Sequence, residues 1–354
     1  MAEPPILGTR ALNRALLARQ LLLEPSSGPM DGVVEQVGGL QTQVSRSGYI
    51  GLWTRLRGLA RQDYTAALEG RRLIQGTLMR VTIHTVTAAD YWPMAVAVRR
   101  PRRVWWLRTW GRGATEADME RAARDVRAEL ADGPLPLREL RARMKARGHD
   151  PGIVAPAGMW VDLVRVPPPG TWDRPRADRY ALAADWLPPR EIGEEAAREL
   201  LARRYLGAFG PATLADMSSW SGIAVAELKP IVARLELRRF RDERGRELLD
   251  LPDGPLPDPT TPAPARFLPS FDATLLVQAR RTQILPDEFR PTIFNVRTPQ
   301  SWNTFLLDGQ VAGTWTHADG AVELDPLRPL TSGERSELED EADRLEAFLR
   351  GPSA

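Results

Sequence analysis

The clearest structural pattern in the chain lies in residues 210–251, GPATLADMSSWSGIAVAELKPIVARLELRRFRDERGRELLDL. It follows a helix predicted over 192–206. The stretch itself predicts a short helix that ends at Trp220, a tight turn at Ser221-Gly222, a helix over 223–237 and a strand pair that turns at 242–245. This order of elements is that of a winged helix-turn-helix. Because helix-turn-helix packing also occurs in purely structural domains, one copy does not establish DNA binding.

Two approximate copies of the same order precede this stretch. We therefore predict an α+β fold with three tandem winged helix-turn-helix units, over residues 1–110, 111–188 and 189–252. In the first unit the periodicity predicts helices over 11–23, 31–37 and 64–73 and a strand over 77–86. In the second it predicts helices over 115–130 and 137–147 and strands over 160–166 and 180–183.

The C-terminal part of the chain has a different pattern. Residues 253–265 are rich in proline and have no apolar period, which predicts a linker or a surface strap. Residues 266–354 predict a small β-barrel or sheet and a final helix over 331–349. The strand candidates are 267–283 and 303–315, and the second contains Asp308-Gly309, a strong hairpin signal.

Composition excludes several classes of site. The chain has no cysteine, so disulfides, zinc–thiolate sites, iron–sulfur clusters and a cysteine nucleophile are excluded. The three histidines lie far apart in sequence, which argues against a histidine-rich metal centre. We expect no metal and no other cofactor. No signal-like or membrane-spanning run is present, so we expect a cytoplasmic protein that does not bind a membrane and is nucleoid-associated when bound to DNA. We also expect a monomer.

The net charge is only +2, so any DNA-binding surface must come from the distribution of charge. Residues 91–113 contain six arginines and four tryptophans and no acidic residue. Arginine neutralises phosphates, and tryptophan stacks on an unpaired base or wedges between base pairs. The candidate DNA contacts are Arg99, Arg100, Arg102, Arg103, Trp105, Trp106, Arg108 and Trp110. The alternative is an amphipathic helix with core tryptophans and solvated arginines, and the pattern alone leaves both open.

Familiar catalytic patterns are absent from the sequence. It has no correctly placed glycine-rich phosphate loop, no Gly-x-Ser-x-Gly serine motif and no cluster of histidines with carboxylates. An enzyme with this sequence must therefore act on a substrate that needs little acid–base assistance.

Eleven short segments, in order along nearly the whole chain, resemble a bacterial family of winged-helix DNA glycosylases. They are residues 17–23, 38–43, 49–53, 77–80, 83–84, 87–91, 205–207, 210–216, 267–272, 304–309 and 313–315. The family includes the azinomycin-resistance glycosylase and related antibiotic self-resistance enzymes, which carry a Gln-x-Gln motif. A second branch, for crosslink repair, carries Gln-x-Asp.

Gln41-Thr42-Gln43 is similar to the motif of the self-resistance branch, although its middle position is usually apolar there. The resemblance implies that Gln41 and Gln43 are catalytic. Residues i and i+2 face the same way on extended backbone, which Gly38-Gly39 makes reasonable at this position. His84 is expected on a strand near the glutamines, either as a structural residue or in contact with a DNA phosphate or water.

The resemblance implies excision of guanines alkylated at N7 from double-stranded DNA. Such a base is already cationic and leaves without being protonated, so the enzyme needs to place a water at the anomeric carbon and stabilise an oxocarbenium ion. A glutamine carbonyl can orient that water. Because Lys145 and Lys229 are the only lysines and lie outside the expected site, we predict a monofunctional glycosylase. Two other functions fit the same sequence: a non-enzymatic winged-helix regulator, and a resistance protein that sequesters an aromatic drug.

Overall fold

The computed structural model describes residues 3–276, 282–295 and 300–351. Its helices are numbered in chain order: α1 Thr9–Arg19, α2 Met30–Gln36, α3 Ser45–Trp53, α4 Arg61–Glu69, α5 Ala88–Thr109, α6 Glu116–Glu129, α7 Leu137–Ala146, α8 Val154–Val161, α9 Ala183–Trp186, α10 Glu194–Phe209, α11 Leu214–Ser221, α12 Val225–Val232, α13 Ala273–Leu276, α14 Arg290–Ile293 and α15 Ser332–Arg350.

The strands are short and lie between these helices. They are β1 Ile6–Leu7, β2 Leu40–Gln41, β3 Leu73–Thr77, β4 Ile83–Thr87, β5 Leu135–Pro136, β6 Leu163–Arg165, β7 Arg179–Leu182, β8 Arg238–Asp242, β9 Glu247–Asp250, β10 Arg266–Leu268, β11 Phe294–Asn295, β12 Gln300–Ser301, β13 Thr304–Leu307, β14 Gln310–Ala318 and β15 Ala321–Pro326. The mixed content of helix and sheet confirms the predicted α+β class.

The largest sheet runs through the first half of the chain. Its strand order is β2-β4-β3-β6-β7-β5, and each neighbouring pair is antiparallel. The β3–β6 pairing, in which Gly76 lies opposite Val164, joins the strands of residues 1–110 to those of residues 111–188. The two segments therefore share one hydrogen-bonded sheet.

Residues 189–252 have the element order that their sequence predicts. Thr213 begins α11 with a capping box, because its hydroxyl accepts from the Asp216 amide and the Asp216 carboxylate accepts from the Thr213 amide. Gly222 ends this helix with a φ of 79°, a left-handed conformation that favours glycine. α12 and the β8–β9 hairpin follow, and β1 at the N-terminus pairs in parallel with β8.

Beyond residue 265 the described chain forms an antiparallel sheet of order β10-β13-β14-β15, on which α15 packs. Of the two forms left open by the sequence, barrel or sheet, the described strands form the sheet. The predicted hairpin at Asp308-Gly309 is confirmed: both residues have positive φ values, 45° and 77°. Residues 253–265 run along α1, where Arg10, Arg14 and Arg19 donate to backbone carbonyls of the proline-rich segment.

Three predicted strands differ from the structure. Residues 160–161 belong to α8, and only Leu163–Arg165 is strand, because an apolar run does not by itself distinguish a buried helix from a strand. The strand over 77–86 is interrupted by a 3-10 turn at Met79–Val81. The strand over 267–283 ends at Leu268 and is followed by α13, while residues 277–281 lie outside the described part.

Two kinds of feature are absent from the described residues. None of the helices there has the length and apolar character needed to cross a membrane. The ranges 3–276, 282–295 and 300–351 also contain no group of three or more histidine, aspartate and glutamate residues that could hold a metal ion.

Candidate active site

Gly38 and Gly39 bring the chain from α2 into β2, the strand that carries the first glutamine. Their φ values are 76° and 85°, which favour glycine. A Cβ at Gly39 would lie 2.9 Å from Cγ1 of Val86, so this position also needs the small residue to let β2 approach β4. In the resulting register Gln41 lies opposite His84. Because directly opposed residues share a face of a sheet, the two side chains lie on the same side.

Thr42, the middle residue of the motif, is buried, and both its amide and its hydroxyl have hydrogen-bond partners. Its amide donates to the carbonyl of Ile83 at 2.8 Å. Its hydroxyl lies 3.1 Å from that of Thr85, which in turn accepts from the Tyr64 hydroxyl at 3.0 Å. The hydroxyl of a threonine is therefore accommodated where the related motif usually has an apolar side chain. This network fixes the backbone between Gln41 and Gln43.

Gln41 and Gln43 have different surroundings. Gln41 is buried, and its Oε1 accepts from Nη2 of Arg80 at 2.6 Å. Gln43 is exposed, and its Oε1 accepts from the amide of Ile83 at 3.2 Å. A carbonyl oxygen has two lone pairs, so Oε1 of Gln43 can accept a second hydrogen bond from solvent. The structure places both glutamines at the end of β2 and exposes Gln43.

Gln43 lies in the wall of an open groove of about 580 Å³. The other residues that line this groove are Ser45, Ile83, Leu137, Arg138, Arg141, Pro175, Arg176, Ala177 and Asp178. One wall therefore comes from the glutamine segment, and the other comes from α7 and the loop before β7. The groove crosses the junction between residues 1–110 and 111–188.

Three arginines of the groove are available to a ligand. Arg138, Arg141 and Arg176 are exposed, and in the described part of the chain their side chains have no hydrogen bond or ion pair. None of them is among the DNA contacts predicted from the sequence. The sequence indicates them only weakly, because Arg138 and Arg141 are i, i+3 neighbours on a helix that also carries the acidic Glu139. Arg176 comes from a loop far along the chain.

His84 lies inside the protein, with 1% of its surface exposed. Its Nδ1 is 3.1 Å from the carbonyl of Thr82. Burial, together with the positive charge of Arg80, lowers the pKa of His84 to about 3. The imidazole is therefore neutral at neutral pH. In this conformation His84 supports the strand behind Gln41 and does not reach the surface where a phosphate would bind.

Three of the five arginines on α5 that are predicted to contact DNA instead contact the protein itself. Arg99 forms an ion pair with Asp162 at 2.7 Å. Arg102 is buried and donates to the carbonyl of Thr77. Arg103 donates to the carbonyl of Met159 at 3.0 Å. These three arginines join α5 to β3 and to the end of α8. The other arginines predicted to contact DNA here are exposed: Arg100 and Arg108.

The predicted tryptophans also divide into two kinds. Trp105 and Trp110 are 46% and 58% exposed. Trp106 is half-buried and packs edge-on against Trp160, with ring centroids 6.1 Å apart. Trp105 lines a cavity of about 240 Å³ together with Arg80 and Gly222, so its ring lies near the arginine that binds Gln41.

We expect Trp105→Ala to weaken binding to lesion-containing DNA more than binding to undamaged DNA, by about 1–3 kcal/mol for the missing base stacking. Trp106→Ala is the matched control, and it should lower the melting temperature while affecting both DNAs equally. Fluorescence anisotropy with the two duplexes and thermal unfolding measure these effects. Equal weakening on both DNAs and a lowered melting temperature for Trp105→Ala would show that this tryptophan is a packing residue.

Comparison with known proteins identifies the family of this chain. A family model described as "DNA glycosylase AlkZ-like" matches residues 34–348. Since this range is most of the chain, the protein belongs to the AlkZ-like DNA glycosylase family, and it is a DNA glycosylase whose substrate is DNA. A search of curated protein sequences finds no match.

The fold agrees with a solved structure of the same class. The DNA glycosylase AlkZ of Streptomyces sahachiroi superposes with a TM-score of 0.80, and the match covers 96% of this chain and 97% of that one. The two sequences are 19% identical, so this likeness bears on the fold.

Proposed function

We propose that this protein is a monofunctional glycosylase that removes bulky N7-alkylguanines from duplex DNA, with Gln43 and Gln41 positioning the attacking water. The observation that carries the proposal is the exposed amide of Gln43 in the wall of a groove that also presents three exposed arginines. A role in DNA repair or in self-resistance to intercalating alkylating antibiotics follows from this substrate class. We also propose that the protein acts as a cytoplasmic monomer.

We also propose how the chain divides into structural units. Three winged helix-turn-helix units would occupy residues 1–110, 111–188 and 189–252, followed by the linker 253–265 and the C-terminal region 266–354. The order of α10, α11, α12, β8 and β9 supports this description for the third unit. The shared sheet supports a rigid junction between the first two units, at which the groove lies.

Excision of an N7-alkylguanine needs little general acid or base catalysis. An N7-alkylated guanine carries a positive charge, so its glycosidic bond breaks without protonation of the base. The task left to the protein is to hold a water at the anomeric carbon and to stabilise positive charge on the sugar. The second lone pair of the Gln43 carbonyl can accept a hydrogen from that water and turn the oxygen lone pair toward the sugar. Neutral, buried His84 adds no opposing positive charge.

The two lysines do not line the groove. Lys145 lies near the end of α7, and Lys229 lies on α12. A lysine nucleophile, which would form a Schiff base with the sugar and cleave the strand, is therefore not part of the proposed site. Water is the proposed nucleophile, and an intact strand with an abasic site is the expected product.

Arg138, Arg141 and Arg176 are proposed to hold phosphates on either side of the lesion. Replacing all three by alanine should reduce the steepness of the salt dependence of DNA binding. If the wild type neutralises five phosphates, its slope of log K against log salt should be roughly −4 to −5. The slope should become less steep by about 0.9 for each phosphate that is no longer neutralised. Titrations of undamaged duplex at several salt concentrations measure both slopes.

A matched control removes the same charge elsewhere. Arg121, Arg124 and Arg127 lie on α6, are exposed and do not line the groove. The triple alanine variant of these residues should leave the slope close to that of the wild type. Equal changes in the two triple variants would contradict a phosphate site in the groove and show a general effect of net charge.

One assay distinguishes the proposed glycosylase from a non-enzymatic DNA-binding regulator and from a protein that sequesters a drug. The protein is incubated with duplex DNA that carries a bulky N7-alkylguanine, and the released base and the bound DNA are measured. In a separate incubation with the drug alone, the bound drug is measured. Release of the modified base supports the proposal. Sequence-selective binding without release would identify a regulator, and binding of free drug without DNA would identify a sequestering protein.

A further inference from the structure

The turn between β3 and β4 carries an arginine in an unusual backbone conformation. Arg80 and Val81 have φ values of 52° and 60°, in the left-handed region that non-glycine residues rarely adopt. The turn is closed by the amide of Leu78, which donates to the carbonyl of Thr82 at 3.0 Å. Backbone strain of this kind persists where the surrounding structure imposes it.

The guanidinium of Arg80 connects two distant parts of the chain. Its Nη1 donates to the carbonyl of Trp220 at 3.1 Å, near the end of α11. Its Nη2 donates to Oε1 of Gln41 at 2.6 Å. Trp220 is almost fully buried, so its carbonyl is a fixed anchor. The helix-turn-helix of residues 189–252 thereby fixes a glutamine of the proposed site, although the two lie far apart in sequence.

This contact decides the orientation of the Gln41 amide. Arginine has donors and no acceptor, so only the carbonyl oxygen of Gln41 can face Arg80. The amide NH₂ must then point to the opposite side. The carbonyl of Gln43 also accepts from the protein, from the amide of Ile83, but Gln43 is exposed in the groove wall, so this oxygen keeps a lone pair that solvent can reach. Gln41 is buried with its carbonyl toward Arg80, so its NH₂ is the group left for a ligand, whereas Gln43 can still offer an acceptor.

We propose that Arg80 is a positioning residue that locks the Gln41 amide, so that Gln41 donates a hydrogen bond to the water or to a sugar oxygen while Gln43 accepts one from the water. This inference rests on the proposed function. A water that donates to Gln43 and accepts from Gln41 is held at two points and keeps its second lone pair for the sugar. Without Arg80, the amide of Gln41 is free to turn over, and that arrangement is then disrupted.

Gln41→Glu and Gln43→Glu are the matched variants that test the division of roles. Each adds one negative charge, and each keeps the length of the side chain. The carboxylate introduced at position 41 would still accept from Arg80 but has no NH₂, so the single-turnover excision rate of Gln41→Glu should fall as far as that of Gln41→Ala. The carboxylate introduced at position 43 would still be an acceptor, so Gln43→Glu should keep a rate within about tenfold of the wild type. The opposite order of rates would overturn the proposal.

Arg80→Ala tests the positioning role itself. Removing a charge-assisted hydrogen bond should slow excision on the order of 10- to 100-fold while DNA affinity changes little. In the Gln41→Ala background the same substitution should have almost no further effect, because Arg80 acts through Gln41. A purely structural role would give additive losses together with a lowered melting temperature, and that result would contradict the proposal.

Arg71→Ala controls for the local backbone and packing. Arg71 also has a left-handed φ, 60°, and also donates to a tryptophan carbonyl, that of Trp186 at 3.3 Å, but it does not touch either glutamine. This variant should excise at the wild-type rate. If Gln41→Ala and Gln43→Ala are both as fast as the wild type, the proposed function fails. If they are slow and Arg80→Ala is fast, only the inference about Arg80 fails.

Discussion

Gln43→Ala is expected to slow excision of an N7-alkylguanine by about 10²–10⁴-fold while leaving DNA affinity nearly unchanged. Positioning and polarising one water typically contributes this much, which corresponds to roughly 3–5 kcal/mol of activation free energy. Affinity should persist because the three groove arginines remain in place. Single-turnover rates with one defined adduct, at enzyme concentrations above saturation, separate the chemical step from binding.

The accompanying variants define what Gln43 contributes. Gln41→Ala should cost less than Gln43→Ala, and the double alanine variant should be faster than the product of the two single effects predicts, because both residues act on one water. Gln43→Asp introduces a stronger acceptor and should retain measurable activity. If Asp178→Asn were inactive and Gln43→Ala fully active, the Asp178 carboxylate in the groove would be the group that positions the water. That result would contradict the role of Gln43.

Asp272→Ala is expected to lower the free energy of unfolding by about 3–5 kcal/mol, the usual cost of removing one partner from a buried ion pair. Asp272 accepts from both terminal nitrogens of Arg55 at 2.9 Å, and the two side chains are 4% and 1% exposed. The substitution leaves a buried guanidinium without its counter-charge. The pair connects the end of α3 to the segment before α13, so its removal should destabilise the C-terminal sheet.

An ion pair at the surface serves as a control that separates the effect of burial from the effect of losing a charge. Asp31 and Arg72 form an ion pair at 2.7 Å with side chains that are 39% and 55% exposed. Because solvent screens this pair, Asp31→Ala should cost less than about 1 kcal/mol. Urea denaturation of the two variants gives both values. A cost for Asp272→Ala that matches that of Asp31→Ala would show that the buried pair contributes little to stability.

Local patterns in the sequence predicted much of the fold. The helix starts at Thr115, Thr213 and Thr331 each have a capping box in the structure, and Asp308-Gly309 forms the expected hairpin. These features depend on residues a few positions apart, so a single sequence displays them. The paired glutamines required the family resemblance, because two glutamines carry no local signature of catalysis.

The features that sequence did not predict depend on distant partners. Arg99, Arg102 and Arg103 were grouped as DNA contacts because no acidic residue is near them in sequence, yet Asp162 and backbone carbonyls of α8 and β3 bind them in the fold. Arg80 contacts Gln41 from a turn between two strands that adopts a left-handed conformation. The groove itself forms where two separate segments pair as one sheet. None of these contacts leaves a periodic signal in the chain.

The proposed glycosylase activity is tested by the release of free base from a duplex that carries one bulky N7-alkylguanine at a known position. The wild type and the Gln41→Ala/Gln43→Ala variant are compared by mass spectrometry of the released base and by alkaline cleavage of the DNA. We predict that the wild type releases the intact modified guanine and leaves an alkali-labile site in an unbroken strand, while the variant binds the same duplex and releases almost none. Equal release by both proteins, or a wild type that binds and never releases base, would contradict this function.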